Sequence, residues 1–307
     1  MRILISDNIQ EQAIKLFRDN GFEVVENFSI TQEELKEEIE NFDAIVIRSR
    51  TKLTAEVLNN AKNLKAIGRA GVGLDNVDLE KAEELKIKVL NTPEAPSISV
   101  AELTIGLLLN LSRHISKADQ TMHCGEWCKS DYMGNTLKGK KAGLIGFGNI
   151  GQAVAKRMEA FEIEIGIYDV LPELKEKAKS LGYNVYNSVN DLIQDVQIIS
   201  LHVPASAATE NIINEERLNM MREDAFIINT ARGPLIDEAA LIKALKDKKI
   251  SGAALDVYRE EPITNMDLCN CEDNLILTPH IGSSTIETQV EASVMIAEKI
   301  SNFLKKI

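Results

Sequence analysis

The sequence predicts an α/β protein built from two doubly wound parallel sheets. Short apolar runs alternate with amphipathic helical segments along most of the 307 residues, which is the pattern of parallel strands joined by helical crossovers. Two prolines, Pro93 and Pro96, interrupt this alternation and divide it into two series. A chain of this length also exceeds the usual size of one hydrophobic core, so two domains are expected.

The first series contains five apolar runs, at residues 3–5, 23–25, 44–47, 66–67 and 89–90. Helical segments separate them, and charged ones such as residues 33–40 are expected to be solvated helix faces. The series ends near residue 96, where Ser97 or Ser99 can cap a long apolar helix that runs to about Ile115.

The second series has apolar runs at residues 140–145, 163–169, 196–201, 225–229, 253–257 and 275–277. Residues 285–304 have a helical pattern, and no further strand–helix series follows them. This last helix is therefore expected to pack against the first domain. The prediction is a discontinuous domain of residues 1–96 and 284–307, with a second domain of residues 97–283.

Composition excludes several function classes. A net charge of −12 and a pI near 5.0 argue against nucleic acid and anionic membranes as partners, because most of the surface repels phosphates. Cys124, Cys128, Cys269 and Cys271 have no zinc-ribbon spacing and are expected to be free thiols. No signal peptide is evident, and the most apolar stretch, residues 105–111, is far shorter than the ~20 residues that span a bilayer. We expect a cytoplasmic protein without a metal site.

The segment GFGNIG places Gly146, Gly148 and Gly151 in a G-x-G-x-x-G pattern between an apolar strand and an amphipathic helix. The first glycine permits a tight turn, the second lets the backbone approach a pyrophosphate, and the third allows close helix–strand packing. The helix N-terminus supplies amide donors and a favourable dipole. This context predicts a dinucleotide site in a Rossmann-like domain.

The next strand, IGIYD, ends at Asp169, at the distance expected of the ribose-binding acid. Its carboxylate can accept hydrogen bonds from the adenine ribose hydroxyls and would repel the 2′-phosphate of NADP. No arginine stands at position 170 or 171. NAD is therefore the expected cofactor, and an aspartate in a surface turn is the alternative.

Four histidines are available for proton transfer near neutral pH. His114 and His123 lie in or just beyond the long helix and are expected to face solvent or cap it. His202 ends the strand IISLHVP and can line the adenine side of a dinucleotide site or serve a structural role. His280, in LILTPHIGSST, follows a buried strand, where open α/β sheets bind ligands. It is the candidate acid/base.

Two further segments carry matching chemistry. In FIINTARGPLID a strand leads to Arg232, whose guanidinium suits a carboxylate and a substrate carbonyl. In GAALDVYREEP another strand leads through Asp256 to Glu261. A carboxylate beside a histidine orients the ring and favours its protonated form. Spacing alone leaves open an ion-pair role for Arg232 and a solvated loop for Glu261.

Four segments, GFGNIG, NTARGPLIDE, ALDVYREEP and TPHIGSST, together resemble the D-isomer-specific 2-hydroxyacid dehydrogenase family, in the family's order and over almost the whole chain. The resemblance implies a Rossmann-like NAD domain, a flavodoxin-like substrate domain and a homodimer formed through the NAD domain. It also implies that Arg232 binds and polarises the substrate, that His280 exchanges the hydroxyl proton and that Glu261 supports His280.

The same resemblance implies that Asp256 and the backbone near Thr230 and Ala231 hold the nicotinamide. The full set of expected cofactor-binding residues is Gly146, Gly148, Asn149, Ile150, Gly151, Asp169, His202, Pro204, Thr209, Thr230, Ala231, Asp256 and Gly282. The D-stereochemistry of the substrate follows from the resemblance alone.

Two arginines of the first domain follow strands, Arg48 in IVIRSRTKLT and Arg69 in AIGRAGVGLDNVDLEKA. These segments resemble the phosphoglycerate dehydrogenase group of the family, in which the matching positions contact substrate. The expected substrate-binding residues are Arg48, Ser49, Arg69, Ala70, Gly71, Val72 and Gly73. Arg50 can replace Arg48 in this role, and both arginines can instead pair with nearby acids.

The leading expectation is NAD-linked oxidation of 3-phospho-D-glycerate to 3-phosphohydroxypyruvate, the entry step of L-serine biosynthesis. Because the sequence ends at residue 307, no C-terminal regulatory domain and no serine feedback through it are expected. Reduction of glyoxylate, hydroxypyruvate or another 2-keto acid is the enzymatic alternative. A non-enzymatic NAD-sensing interaction protein is the alternative from another class.

Overall fold

The computed structural model describes residues 1–307 and forms two compact units. Unit one contains residues 1–96 and 283–307, and unit two contains residues 97–282. Each unit has one sheet, with five strands in unit one and seven in unit two. All strand pairs are parallel. The α/β class with two doubly wound sheets is confirmed.

The elements of unit one are β1 Arg2–Ile5, α1 Glu11–Asp19, β2 Glu23–Glu26, α2 Gln32–Glu38, a 3₁₀ turn Ile39–Asn41, β3 Ala44–Ile47, α3 Ala55–Leu58, β4 Ala66–Arg69, α4 Leu79–Glu84, β5 Lys88–Asn91 and the last helix, Ile286–Leu304. The strand order is β2-β1-β3-β4-β5, the flavodoxin-like order. Chain order reverses between β1 and β3, so the segments after these strands meet at the topological switch point, where such sheets bind ligands.

Apolar side chains cover both faces of this sheet. On one face, Ile3 and Val46 pack with α1 and the last helix, and on the other Ile45 packs with α2 and α3. Gly68 of β4 lets the last helix approach closely, because a Cβ there would lie 2.2 Å from Cδ1 of Ile300. The last helix therefore completes the core of unit one.

The elements of unit two are α5 Ser97–Arg113, α6 Ile115–His123, a 3₁₀ turn Lys129–Tyr132, β6 Lys141–Ile145, α7 Asn149–Glu159, β7 Glu164–Tyr168, α8 Pro172–Ser180, β8 Asn184–Val185, α9 Val189–Asp195, β9 Ile198–Leu201, α10 Glu215–Met220, β10 Phe226–Asn229, a 3₁₀ turn Gly233–Leu235, α11 Glu238–Lys246, β11 Gly252–Leu255, α12 Met266–Cys269 and β12 Leu275–Leu277. The strand order is β12-β11-β10-β9-β6-β7-β8. Its first six strands in sequence follow the Rossmann order, with the switch point between β6 and β9.

Helices α5 and α7 pack on one face of this sheet, while α9, α10 and α11 pack on the other. The long apolar helix ends at Arg113, and His114, at φ +55°, starts α6 in a new direction. No helix combines the length and the apolar character needed to cross a membrane.

Candidate active site

The glycine-rich turn between β6 and α7 allows very close backbone contacts. A Cβ on Gly146, which has φ +102°, would lie 2.5 Å from the carbonyl oxygen of His202, and one on Gly151 would lie 2.3 Å from the carbonyl oxygen of Gly146. At Gly148, by contrast, no atom lies within 4 Å of a built Cβ, and no side chain caps α7. The helix N-terminus therefore offers amides beside open space, which fits a pyrophosphate.

Asp169 is buried at the end of β7, next to this turn. Its Oδ2 accepts a 2.7 Å hydrogen bond from the backbone N–H of Phe147, and Oδ1 accepts one of 2.9 Å from that of Leu171. Each carboxylate oxygen has a second lone pair available. The residue thus fixes the glycine-rich turn and retains acceptor capacity for a ribose hydroxyl.

His202 follows β9, on the other side of the switch point. Its Nε2 lies 2.9 Å from Oγ of Ser200, and its backbone N–H donates to the carbonyl of Ile145. Burial lowers the pKa of His202 to about 3, so its ring is neutral at neutral pH. In the following loop, Oγ1 of Thr209 donates to the carbonyl of Pro204 at 2.7 Å. Ser200 is thus a structural partner of the His202 ring.

His280 and Glu261 form the central pair of the site. Nδ1 of His280 lies 2.6 Å from Oε2 of Glu261, whose Oε1 accepts a hydrogen bond from the backbone N–H of Tyr258. Burial raises the pKa of Glu261, but these hydrogen bonds and the charges of His280 and Arg232 lower it by more. The pKa of Glu261 therefore lies below the ordinary 4.5. The three residues expected to act in catalysis therefore lie within electrostatic reach of one another.

The turn that presents Arg232 is shaped by Asn229, the last residue of β10. Asn229 Nδ2 donates to the carbonyl of Arg232 at 2.8 Å, and its Oδ1 accepts from the N–H of Ala231 at 3.1 Å. The next residue, Gly233, has no room for a side chain, because a Cβ would lie 1.9 Å from the carbonyl carbon and oxygen of Tyr258. The Arg232 turn is thus packed directly against the segment that leads to Glu261.

Asp256, 1% exposed, holds the loop that carries His280. Oδ1 accepts hydrogen bonds from Oγ1 of Thr278 at 2.7 Å and from the N–H of Ile281 at 2.8 Å, and Oδ2 accepts one from the N–H of Gly282 at 2.8 Å. His280 sits within this loop at φ +51°. The contacts of Asp256, which the sequence analysis expected to hold the nicotinamide, anchor the loop of His280.

Sequence reasoning missed Tyr258, which joins the ends of β11 and β12. Its hydroxyl donates to the carbonyl of Thr278 at 2.8 Å. Burial, together with the charge of Asp256, raises its pKa to about 12, so the hydroxyl stays a proton donor. Nearby, the hydroxyls of Thr230 and Thr104 lie 3.0 Å apart. No sequence pattern pointed to Tyr258, whose partner follows a different strand.

In unit one, Arg48 and Arg50 follow β3 but have different surroundings. The guanidinium of Arg50 donates to Oδ1 of Asp7 and to the carbonyl of Ile30, both at 3.1 Å. The guanidinium of Arg48 makes a 3.4 Å contact with the carbonyl of Asn8. Ser49, between the two arginines, is exposed. The guanidinium of Arg50 is therefore bound to groups of the protein itself, which favours Arg48 as the ligand-binding arginine.

Arg69 ends β4, and its side chain lies over the glycine loop that follows. A Cβ on Gly71, which has φ +150°, would lie 2.1 Å from Nη1 of Arg69. The loop is fixed by two bonds: Asn91 Nδ2 donates to the carbonyl of Val72, and the N–H of Thr92 donates to that of Gly71. Ala70 is buried, and Val72 and Gly73 are partly exposed. The structure thus groups Arg69 with the loop expected to bind substrate.

No group of three or more His, Cys, Asp or Glu side chains is arranged to hold a metal ion. The four cysteines are free thiols.

Known proteins similar to this chain are dehydrogenases and reductases. Residues 105–282 match the model of the D-isomer specific 2-hydroxyacid dehydrogenase NAD binding domain. Across 99% of its length the chain is 46% identical to D-3-phosphoglycerate dehydrogenase of Methanocaldococcus jannaschii, but it spans only 58% of that protein. It is 42% identical to hydroxypyruvate reductase of Thermotoga maritima, with 97% of both chains covered. A glyoxylate reductase from Paecilomyes thermophila superposes with a TM-score of 0.90, at 28% identity, covering 100% of this chain and 96% of that one.

Proposed function

The chain belongs to the D-isomer-specific 2-hydroxyacid dehydrogenase family, and from that premise we propose that it oxidises 3-phospho-D-glycerate to 3-phosphohydroxypyruvate with NAD. The observation that carries the chemistry is the 2.6 Å contact between His280 and Glu261, with Arg232 close enough to lower the pKa of Glu261. The proposed reaction is the entry step of L-serine biosynthesis, in the cytoplasm. Unit one supplies the substrate-binding residues in this proposal, and unit two binds NAD.

The proton path follows from the His280–Glu261 pair. With Nδ1 facing Glu261, the other ring nitrogen, Nε2, accepts the proton of the substrate's C2 hydroxyl during oxidation. Glu261, ionised because its pKa is lowered, orients the ring and stabilises the imidazolium that forms. Arg232 binds the substrate carboxylate and polarises the developing carbonyl. Reduction runs the same path backwards and starts from protonated His280.

NAD would supply the hydride acceptor for the oxidation at C2, which is chemistry that no side chain supplies. The residues that would hold it fit the group: open space beside Gly148 receives the pyrophosphate, and Asp169 retains acceptors for the ribose. Thr230, Ala231 and Asp256 would hold the nicotinamide end. The acid at position 169 favours NAD over NADP, because it repels a 2′-phosphate.

We propose that Arg48 and Arg69 bind the substrate phosphate, with the backbone of residues 70–73 as further donors. Both arginines stand at the carboxyl ends of strands, Arg48 after β3 at the switch point and Arg69 at the end of the neighbouring β4, where such sheets bind ligands. The family model and the D-3-phosphoglycerate dehydrogenase relatives support the substrate class. A second candidate is reduction of hydroxypyruvate, supported by the reductase that matches this chain over 97% of both lengths.

The experiment that tests the proposal compares NADH oxidation with 3-phosphohydroxypyruvate, hydroxypyruvate and glyoxylate. A preference for the phosphorylated keto acid in kcat/KM supports the first candidate, and a preference for hydroxypyruvate supports the second. Arg48→Ala and Arg69→Ala should each raise KM for 3-phosphohydroxypyruvate about 10- to 100-fold, the value of a charged hydrogen bond. Arg2→Ala removes a half-buried arginine of β1 that pairs with Glu23 and serves as the control.

We further propose a homodimer formed through unit two. Four large apolar side chains on or near α6 are exposed, Ile115, Met122, Trp127 and Met133, with Trp127 at 78% and Met133 at 86%. Because monomers rarely expose large apolar surfaces, we propose that a second copy covers these side chains. Trp127→Lys with Met133→Lys should halve the mass measured by light scattering. A wild-type protein of monomeric mass would contradict the proposal.

A further inference from the structure

Asp7 stands at the end of β1, on the other side of the unit-one switch point from Arg48. Its carboxylate is 4% exposed, yet it has no role in the proposed chemistry. Burying a carboxylate is unfavourable unless hydrogen bonds and an opposite charge compensate it. The hydrogen-bond partners of Asp7 therefore identify the structure that its buried carboxylate stabilises.

All four side-chain hydrogen bonds of Asp7 come from residues 48–51. Oδ2 accepts from the backbone N–H groups of Arg48 at 2.6 Å and Thr51 at 3.2 Å. Oδ1 accepts from Oγ1 of Thr51 at 2.6 Å and from Nε of Arg50 at 3.1 Å. The carboxylate thus holds the loop by two backbone amides, one hydroxyl and one guanidinium.

Asn76 holds the same loop from its carbonyl side. Its Nδ2 donates to the carbonyl of Arg48 at 2.8 Å and to that of Thr51 at 2.6 Å. The backbone of Arg48 is therefore fixed at both its N–H and its C=O. Asn76 follows the glycine loop after Arg69, so these bonds also link the two segments expected to bind substrate.

Arg50 and Arg48 have different electrostatic relations to Asp7. Arg50 compensates the charge of Asp7 and also donates to the carbonyls of Ile30 and Ser6. Burial lowers the pKa of Arg48, while the charge of Asp7 raises it. Without Arg50, the negative charge of Asp7 would be uncompensated, and it would weaken the attraction of Arg48 for an anion.

We propose that Asp7 is a positioning residue for Arg48, with Arg50 as its counter-ion, and that together they set the affinity for a phosphorylated substrate. The proposal rests on the proposed function of Arg48. Asp7 acts on the substrate only through the fixed backbone of Arg48, so removing Asp7 should matter only while Arg48 is present.

The test is a double-mutant cycle of Asp7→Asn and Arg48→Ala, read out by NADH oxidation with 3-phosphohydroxypyruvate and with hydroxypyruvate. Asp7→Asn alone should raise KM for the phosphorylated keto acid about tenfold and leave KM for hydroxypyruvate within about twofold. In the Arg48→Ala background it should change KM by less than about twofold, because coupled residues are not additive. Asp43→Asn is the matched control, since Asp43 is a hydrogen-bonded carboxylate at the opposite end of β3.

The proposal would be overturned if Asp7→Asn raised KM equally for both keto acids. It would also be overturned if the effects of Asp7→Asn and Arg48→Ala on KM multiplied in the double variant. If Asp7→Asn does not give the wild-type circular dichroism spectrum, Arg50→Ala carries the same cycle. It should raise KM for the phosphorylated keto acid alone, and only when Arg48 is present. A wild-type enzyme with no preference for the phosphorylated keto acid would instead refute the proposed function.

Discussion

Nδ1 of His280 lies 2.6 Å from Oε2 of Glu261, although the two residues are 19 positions apart. They follow β12 and β11, which are adjacent parallel strands, so the carboxyl ends of these strands bring them to one edge of the sheet. The loop of His280 is held by Asp256 and Tyr258. Glu261 therefore orients the ring of His280, whose side chain stays 47% exposed.

His280→Gln should lower kcat by about 10²- to 10⁴-fold, the range for loss of a general acid/base. The Kd for NADH, measured by fluorescence titration, should stay unchanged, because the glycine-rich turn and Asp169 do not contact this residue. His123→Gln changes an exposed histidine on α6 and is the control. Turnover that survives in His280→Gln would mean that another group moves the proton.

Glu261→Gln should show a pH-dependent loss of stability. The folded-state pKa of Glu261 lies below its ordinary 4.5, so its contribution to the free energy of unfolding is complete above the unfolded-state pKa and is lost as pH falls through the folded-state pKa. The difference between wild type and variant, measured by urea unfolding, should therefore shrink as the pH is lowered from 7 to 3. Glu37→Gln, on the exposed face of α2, should show no such trend.

Asp169→Ala should weaken NAD binding about tenfold through loss of a charge-assisted hydrogen bond. Binding of NADP should change less or improve, because the charge that repels its 2′-phosphate is gone. Titration of both cofactors measures the ratio of their affinities, with Glu173→Ala on α8 as the control. An unchanged ratio would show that Asp169 only fixes the turn through Phe147 and Leu171.

Local pattern was sufficient to predict all strands but one and to single out His280 as the candidate acid/base, whereas the roles of Arg232 and Glu261 came from the family resemblance. The glycine spacing and the position of His280 after a strand are both visible within a few consecutive residues. The strand Asn184–Val185 was not predicted, because two partly exposed residues give no hydrophobic period. Asp7 was also missed, since its partner Arg48 is 41 positions away. Roles that depend on such distant contacts leave no local pattern.

Gly233→Ala should damage the site without touching a reacting group. The added Cβ would lie 1.9 Å from the carbonyl carbon and oxygen of Tyr258 and 2.4 Å from the backbone nitrogen of Arg259. Backbone atoms cannot rotate away, so the turn of Arg232 must separate from the segment that leads to Glu261. The expected loss is about 1–3 kcal/mol of stability, as in other overpacked sites, with a lower kcat.

Gly106→Ala is the matched control for this substitution. Gly106 lies within α5 with no atom inside 4 Å of a built Cβ, so alanine should stabilise the helix by about 0.5–1 kcal/mol. Thermal unfolding and kcat measured on both variants separate a general effect of alanine from the clash. Wild-type kcat and stability in Gly233→Ala would show that the Arg232 turn tolerates displacement from Tyr258, and that the proximity of Arg232 to Glu261 does not depend on this contact.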